Sequence, residues 1–138
     1  MCFILQDQEE ALDYSIKIGG EAGQGIQTIG DTLSKVFSRN GYHVFTHQDY
    51  MSRVRGGHNF YQIRVSDGEI SASRASIDIL VAFDKESIML HAGELSPIGL
   101  VVYDSVALKE KHEGVKFFDV PLLDLAMKSG RYVHGQYR

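Results

Sequence analysis

Tryptophan is absent from this 138-residue chain, cysteine occurs once and proline twice. A single thiol, Cys2, can neither close an internal disulfide nor supply a cysteine cage for an iron–sulfur cluster, so the chain reads as a protein of the reducing cytoplasm. No run approaches the roughly 20 apolar residues that cross a bilayer. The apolar start Met1 to Leu5 is too short for a secretion signal and runs into Asp7, Glu9 and Glu10. Positive charge is scarce as well: 14 Lys and Arg stand against 18 Asp and Glu, a net charge of −4. That balance argues against a surface built to coat nucleic acid or an anionic membrane, and any anion site must be a local patch. Internal repeats, low-complexity stretches and linkers are not found, so residues 1–138 read as one domain. With 43% apolar and 23% charged residues, a domain of this length buries roughly two-thirds of its unfolded surface and needs no staple.

What is present is a succession of strands and helices. Tyr14, Ile16 and Ile18 alternate as a first strand. Ile26, Ile29, Leu33, Val36 and Phe37 repeat with helical period, and Asn40-Gly41 ends that helix. His43 to Thr46 is a second strand, which completes a strand–helix–strand unit of about 30 residues. Gln48 to Asn59 has no period and reads as a loop. Phe60 to Val65 alternates, and Asp67-Gly68 predicts a tight turn into a short returning strand, Glu69 to Ser73. The near-continuous apolar run Ile77 to Phe83 reads as a central strand buried on both faces. Lys85 to Ala92 is helical, Leu100 to Tyr103 and Phe117 to Val120 are strands, and Leu122 to Lys128 is helical. The fold class is therefore α/β, a Rossmann-like layered fold with a mostly parallel sheet and a β-hairpin excursion. Ligands of such sheets lie beyond the carboxyl ends of the strands, where the glycine-rich segment, the Gln48–Asn59 loop, Asp84 and Asp104 should gather.

Two segments stand out. Gly19-Gly20-Glu21-Ala22-Gly23-Gln24-Gly25 joins the first strand to the first helix. This arrangement offers backbone N–H groups at a positive helix end and suits a phosphate or another anion. Its glycines run G-x-x-G-x-G, the reverse of the dinucleotide fingerprint, and no Lys-Ser/Thr pair follows, so it is not a Walker loop. The other reading is a turn that only permits close strand–helix packing. The second segment, Ser52-Arg53-Val54-Arg55-Gly56-Gly57-His58-Asn59, sets two guanidinium groups beside two glycines, a combination that pairs bidentately with phosphate or carboxylate. Its plainer reading is an exposed loop with surface ion pairs. The candidate cofactor-binding residues are therefore Gly20, Gly23, Gln24, Gly25, Arg53, Arg55, Gly56 and Gly57.

Other constellations are weak. His43, His47 and His58 match no compact zinc spacing. His91, His112 and His134 are scattered and read as surface or locally satisfied groups. Asp78, Asp84 and Asp104 read as caps for backbone N–H groups rather than as acid–base catalysts. No nucleophile elbow is present, and no catalytic residue is assigned.

Taken together, Ile18 to Gly25, Arg53 to Asn59, Tyr61 to Val65, Asp78 to Asp84 and Gly99 to Asp104 resemble the gamma subunit family of 2-oxoacid:ferredoxin oxidoreductases. The likeness covers roughly residues 14–121. The loop is most similar to the version fused ahead of the alpha domain in 2-oxoglutarate-type enzymes. The resemblance implies a component of an enzyme that decarboxylates a 2-oxoacid and passes the acyl group to coenzyme A. It places thiamine diphosphate, magnesium and iron–sulfur clusters on alpha and beta partner subunits or domains, with ferredoxin reached indirectly. It implies no cofactor held by this chain alone, but a coenzyme A contact through Gly20 to Gly25 and the two arginines. Family domains continue further than this chain does, so the resemblance also implies a domain lacking its C-terminal part. A free-standing nucleotide-binding module and a purely structural subunit remain the alternatives.

Overall fold

The computed structural model describes residues 11–50, 57–109 and 113–129. Its strands are β1 (Asp13–Glu21), β2 (His43–Tyr50), β3 (His58–Ser66), β4 (Ile77–Ala82), β5 (Leu95–Tyr103) and β6 (Lys116–Asp119). Its helices are α1 (Ile26–Arg39), α2 (Lys85–His91) and α3 (Leu122–Lys128), with a single 3₁₀ turn, Ala92–Glu94, between α2 and β5. The strands form one sheet in the order β2-β3-β1-β4-β5-β6. β1, β4, β5 and β6 are parallel neighbours, whereas β3 runs antiparallel to both β1 and β2. Five strands thus share one direction and β3 alone returns. The expected class, a mostly parallel α/β sheet with an antiparallel excursion, is what forms.

The excursion is built differently from the expectation. Glu69 to Ser73 forms no strand. β3 instead pairs with β2, from His43 opposite Ser66 to Tyr50 opposite Asn59. The two ends of the aperiodic Gln48–Asn59 stretch, 48–50 and 58–59, are therefore the facing ends of two strands. The stretch after β3 lies over its polar side chains: Arg64 donates to the Ala72 carbonyl at 3.1 Å and Gln62 to the Arg74 carbonyl at 2.7 Å. β3 also inserts between β1 and β2, so the strand–helix–strand unit is split, and its two strands do not pair.

α1 follows from its sequence stripe. Ile26, Ile29, Leu33 and Phe37 pack on Ile18, Tyr61 and Ile63, while Val36, expected on the same stripe, is half exposed. Asn40 closes the helix, and Gly41 supplies the left-handed residue after it, at φ +89°. Gly30 is where the helix meets the sheet. An added Cβ would stand 2.3 Å from Tyr61 Cγ, so only glycine lets the ring lie flat on α1. A second core gathers Ile77, Leu80, Ile88, Val101 and Tyr103 under α2. Each fully buried aliphatic side chain here contributes roughly 1.5–3 kcal/mol relative to exposure. No helix among the described residues is long and apolar enough to cross a membrane.

Candidate functional site

Because five strands point the same way, the ends of β1, β2, β4 and β5 and the start of β3 share one rim of the sheet. The glycine-rich segment reaches that rim. Gly19 and Gly20 belong to β1 itself. A Cβ on Gly20 would meet Gln24 Oε1 at 2.4 Å and Ile26 Cδ1 at 2.9 Å. Gly23 and Gly25 lie at φ +93° and +76°, the left-handed region where a side chain is strained, and their Cα atoms face open space. Gln24 folds back, its Oε1 accepting from the Glu21 N–H at 2.7 Å, so its carbonyl oxygen serves the turn.

Gly25 caps α1 without any side-chain hydrogen bond, and the first turn of this 14-residue helix carries no acidic residue. Its leading N–H groups are thus left to an outside acceptor. A cavity of about 250 Å³ opens there, its lining including Glu21, Gly23, Gly25, Thr28, Asn59 and Tyr61. Asn59 Oδ1 is buried without a hydrogen-bond partner among the described residues. A second, more apolar cavity of about 380 Å³ runs from Gly23 and Gln24 past Phe83 and Asp104 to Leu122 and Ala126 of α3. Gly57 lies beside the turn, its carbonyl accepting from the Ala22 N–H at 3.2 Å. Arg53, Arg55 and Gly56 lie outside the described residues. Of the eight candidates, the structure gathers Gly20, Gly23, Gln24, Gly25 and Gly57 at one corner.

The aspartates act as caps. Asp84 Oδ1 accepts from the Ser87 N–H at 2.7 Å and from the Ser87 hydroxyl at 2.5 Å, which starts α2. Asp104 accepts from the Leu123 N–H at 3.2 Å and the Val106 N–H at 3.0 Å, and these backbone bonds hold its carboxyl below the ordinary value. Asp78 accepts from the Ser15 N–H at 2.9 Å, the Ser96 hydroxyl at 2.8 Å and the Arg74 guanidinium at 3.1 Å.

The sheet face toward α2 holds a group that the sequence pattern did not reveal. Lys17, on β1, is only 4% exposed. Its ammonium group ion-pairs with Glu94 and stands 4.5 Å from the Phe60 ring centre. His91 Nδ1 lies 2.8 Å from Glu94 Oε1, and His91 Nε2 lies 2.8 Å from His58 Nε2. Burial pushes the His91 imidazole below its ordinary value, against the opposing pull of Glu94. Burial raises Glu94, but hydrogen bonds from Lys17 and His91 outweigh it and leave that carboxyl low. His91, expected to be a surface or locally satisfied residue, is a buried partner of His58. His43 and His47 are exposed on β2, opposite Ser66 and Gln62, and do not join His58. The overlooked signal was Lys17: a lysine on a strand covered on both faces must be buried with a partner.

The family described as pyruvate ferredoxin/flavodoxin oxidoreductase matches residues 15–136. Ketoisovalerate oxidoreductase subunit VorA of Methanothermobacter marburgensis is 29% identical over 126 residues, 90% of this chain and 26% of that protein. Subunit alpha of 2-oxoacid:ferredoxin oxidoreductase 2 of Aeropyrum pernix is 33% identical over 93 residues, 67% of this chain and 14% of that protein. This chain thus spans about a quarter or less of the curated relatives it matches. Among solved structures, 2-oxoglutarate:ferredoxin oxidoreductase from Magnetococcus marinus, with 2-oxoglutarate, coenzyme A and succinyl-CoA bound, is similar at a TM-score of 0.74 and 26% identity. That likeness covers 86% of this chain and 21% of the other. A keto/oxoacid ferredoxin oxidoreductase gamma subunit from Geobacter sulfurreducens has the same fold, at a TM-score of 0.73 and 23% identity over 86% of this chain and 66% of that one.

Proposed function

Because this chain belongs to the pyruvate ferredoxin/flavodoxin oxidoreductase family, we propose that it is the gamma component of a coenzyme A-acylating 2-oxoacid:ferredoxin oxidoreductase of the cytoplasm. It works there beside alpha and beta subunits or domains. In this reading, the start of α1 faces the phosphates of coenzyme A or an acidic edge of a partner domain. The observation that carries it is the uncapped start of α1, at a turn where Gly23 and Gly25 keep open space over their Cα atoms. The likeness to a coenzyme A-bound enzyme of the same class supports it. Glu21 in the cavity lining works against an anion, so the reading needs positive charge there, and Arg53 and Arg55, outside the described residues, are the sequence's candidates for it.

The decarboxylation and electron transfer belong to partner subunits in this account. A chain with one cysteine cannot ligate an iron–sulfur cluster by itself. Thiamine diphosphate and its magnesium are assigned to the partners as well, and ferredoxin is reached only through them. The test is reconstitution with the alpha and beta partners. Arg53→Ala combined with Arg55→Ala should raise the KM for coenzyme A while leaving the KM for the 2-oxoacid unchanged. An unaltered coenzyme A requirement would remove the ligand role and leave the turn as a packing device, the part that Gly20 already plays against Ile26 and Phe83.

A further inference from the structure

We propose that this chain binds a divalent transition-metal ion on His58, Asp84 and Glu86, at the corner where β3 begins, β4 ends and α2 starts. One ring nitrogen of His58 and one carboxylate oxygen each from Asp84 and Glu86 lie within 4.8 Å of one another. Among the described residues, two of these side chains carry buried atoms with no hydrogen-bond partner, His58 Nδ1 and Asp84 Oδ2, and His58 is only 5% exposed. A buried acceptor left without a partner is costly, and native structures keep few of them. Two in one corner, with a second carboxylate, Glu86, beside them, are answered together by one cation.

The surrounding hydrogen bonds prepare those atoms as ligands. Glu94 sits 2.8 Å from His91 Nδ1, so that nitrogen carries the proton and donates it to the carboxylate. His91 Nε2 is then an acceptor. The His58 Nε2 that faces it at 2.8 Å must be the donor. In neutral His58 the remaining nitrogen, Nδ1, is therefore a bare lone pair, the form that binds a metal. The ion pair of Lys17 with Glu94 anchors this chain of bonds. On the other side, the Ser87 N–H and hydroxyl occupy Asp84 Oδ1 and leave Oδ2 free. Outer hydrogen bonds that fix both tautomer and carboxylate orientation are the usual surroundings of a metal ligand. Gly19 keeps the corner open, since a Cβ there would stand 2.7 Å from Ser87 Oγ and 3.2 Å from His58 Cε1.

Donors around an ion with bonds of about 2.1 Å stand roughly 3.0–3.5 Å apart. Closing from the observed spacing is within reach of Glu86, an exposed side chain on the first turn of α2. One imidazole with two carboxylates suits Zn²⁺, Co²⁺ or Mn²⁺, whereas Ca²⁺ prefers six to eight oxygens. A bound ion would tie the start of β3 to α2, on the sheet face away from α1.

The test uses the full chain and the metal alone, with no coenzyme A and no partner subunit, so its outcome is separate from that of the proposed function. Calorimetric titration with Zn²⁺ should give one equivalent bound, with a rise in unfolding temperature that grows with free metal. Co²⁺ should give a visible ligand-field spectrum. Glu86→Gln and His58→Gln should each weaken binding at least about tenfold, and His47→Gln, on exposed β2, should leave it unchanged. Should His58→Gln fail to fold, Glu86→Gln decides alone. No saturable binding, or wild-type binding by Glu86→Gln, overturns the site and leaves its lone atoms to ordered water.

Discussion

On one side of β1, Ile16, Ile18 and Gly20 lie against α1 with Tyr61 and Ile63. On the other, Ser15, Lys17 and Gly19 lie with Gln62, Asp78 and the His58–His91 pair. The two sides are one residue out of phase on the same strand and about equally buried. The α1 side is held mainly by shape: apart from the Tyr61 hydroxyl, its groups need contact and volume but no particular partner. The other side is held by direction, since each donor or acceptor removed from water must meet its complement. The first should therefore fail when it is overfilled, the second when one member is deleted.

The largest expected effect is on the side held by shape. Gly30→Val drives a branched side chain into the face of the Tyr61 ring, which is itself fixed by its hydroxyl donating to Asp31 Oδ1 at 2.8 Å. A loss of about 3 kcal/mol is expected in urea unfolding. A midpoint near that of wild type would mean that α1 can lift off the sheet, and the close-contact account of Gly30 would be wrong.

Deletion on the other side ranks next. Asp78→Ala leaves the Ser15 N–H and the Arg74 guanidinium without their shared acceptor, and about 2–3 kcal/mol should be lost. Asp78→Asn keeps an acceptor and should cost less. If the alanine and asparagine variants unfold together, the cost comes from lost volume rather than unmet polar groups, and the distinction between the two sides weakens.

On the directional side, acid should act through Asp13. Two hydrogen bonds from Arg64, at 2.8 and 2.9 Å, hold the Asp13 carboxyl below its ordinary 3.8. The unfolded chain, with the higher value, binds more protons as pH falls through that range. The contribution of Asp13 is thus complete above about pH 4 and fades as pH drops toward the folded value. Stability measured from pH 5 to pH 3 should fall more steeply for wild type than for Asp13→Asn, and parallel curves would dissociate the Arg64 pair from acid sensitivity.

The same contrast explains what could be read from the sequence. The apolar side announces itself by period, so Ile26, Ile29, Leu33 and Phe37, the strands Ile77 to Phe83 and Leu100 to Tyr103, and the caps Asp84 and Asp104 were all legible. Strand order was not, because alternation in Phe60 to Val65 carries no information about which neighbour it joins. Asp67-Gly68 suggested a local return, whereas the pairing went back to β2 across residues 51–57. The polar network was hidden for a related reason. Lys17, His58, His91 and Glu94 are up to 77 positions apart, and no spacing rule links residues that meet only after the sheet is ordered. At the site, the glycines were visible because a left-handed backbone demands them, as at Gly23 and Gly25. The tautomer of His58 depends on Glu94 and His91, which are distant in sequence.

The smallest effect comes from a pair that belongs to neither side. Lys128 Nζ lies 2.7 Å from Asp124 Oδ2 on α3, with side chains 72% and 54% exposed. Chemically it is the same lysine–carboxylate contact as Lys17 with Glu94. Water around Lys128 weakens the attraction and solvates both charges when they part, so Lys128→Ala should cost no more than about 0.5 kcal/mol and less in high salt. Lys17 has less such reserve, because its side chain is only 5% exposed and its truncation leaves the buried His91 and the partly exposed Glu94 beside an emptied space. Lys17→Ala should exceed Lys128→Ala several-fold, with little dependence on salt. Equal losses in the two variants would show that water reaches β1, and burial would then cease to explain the order of that face.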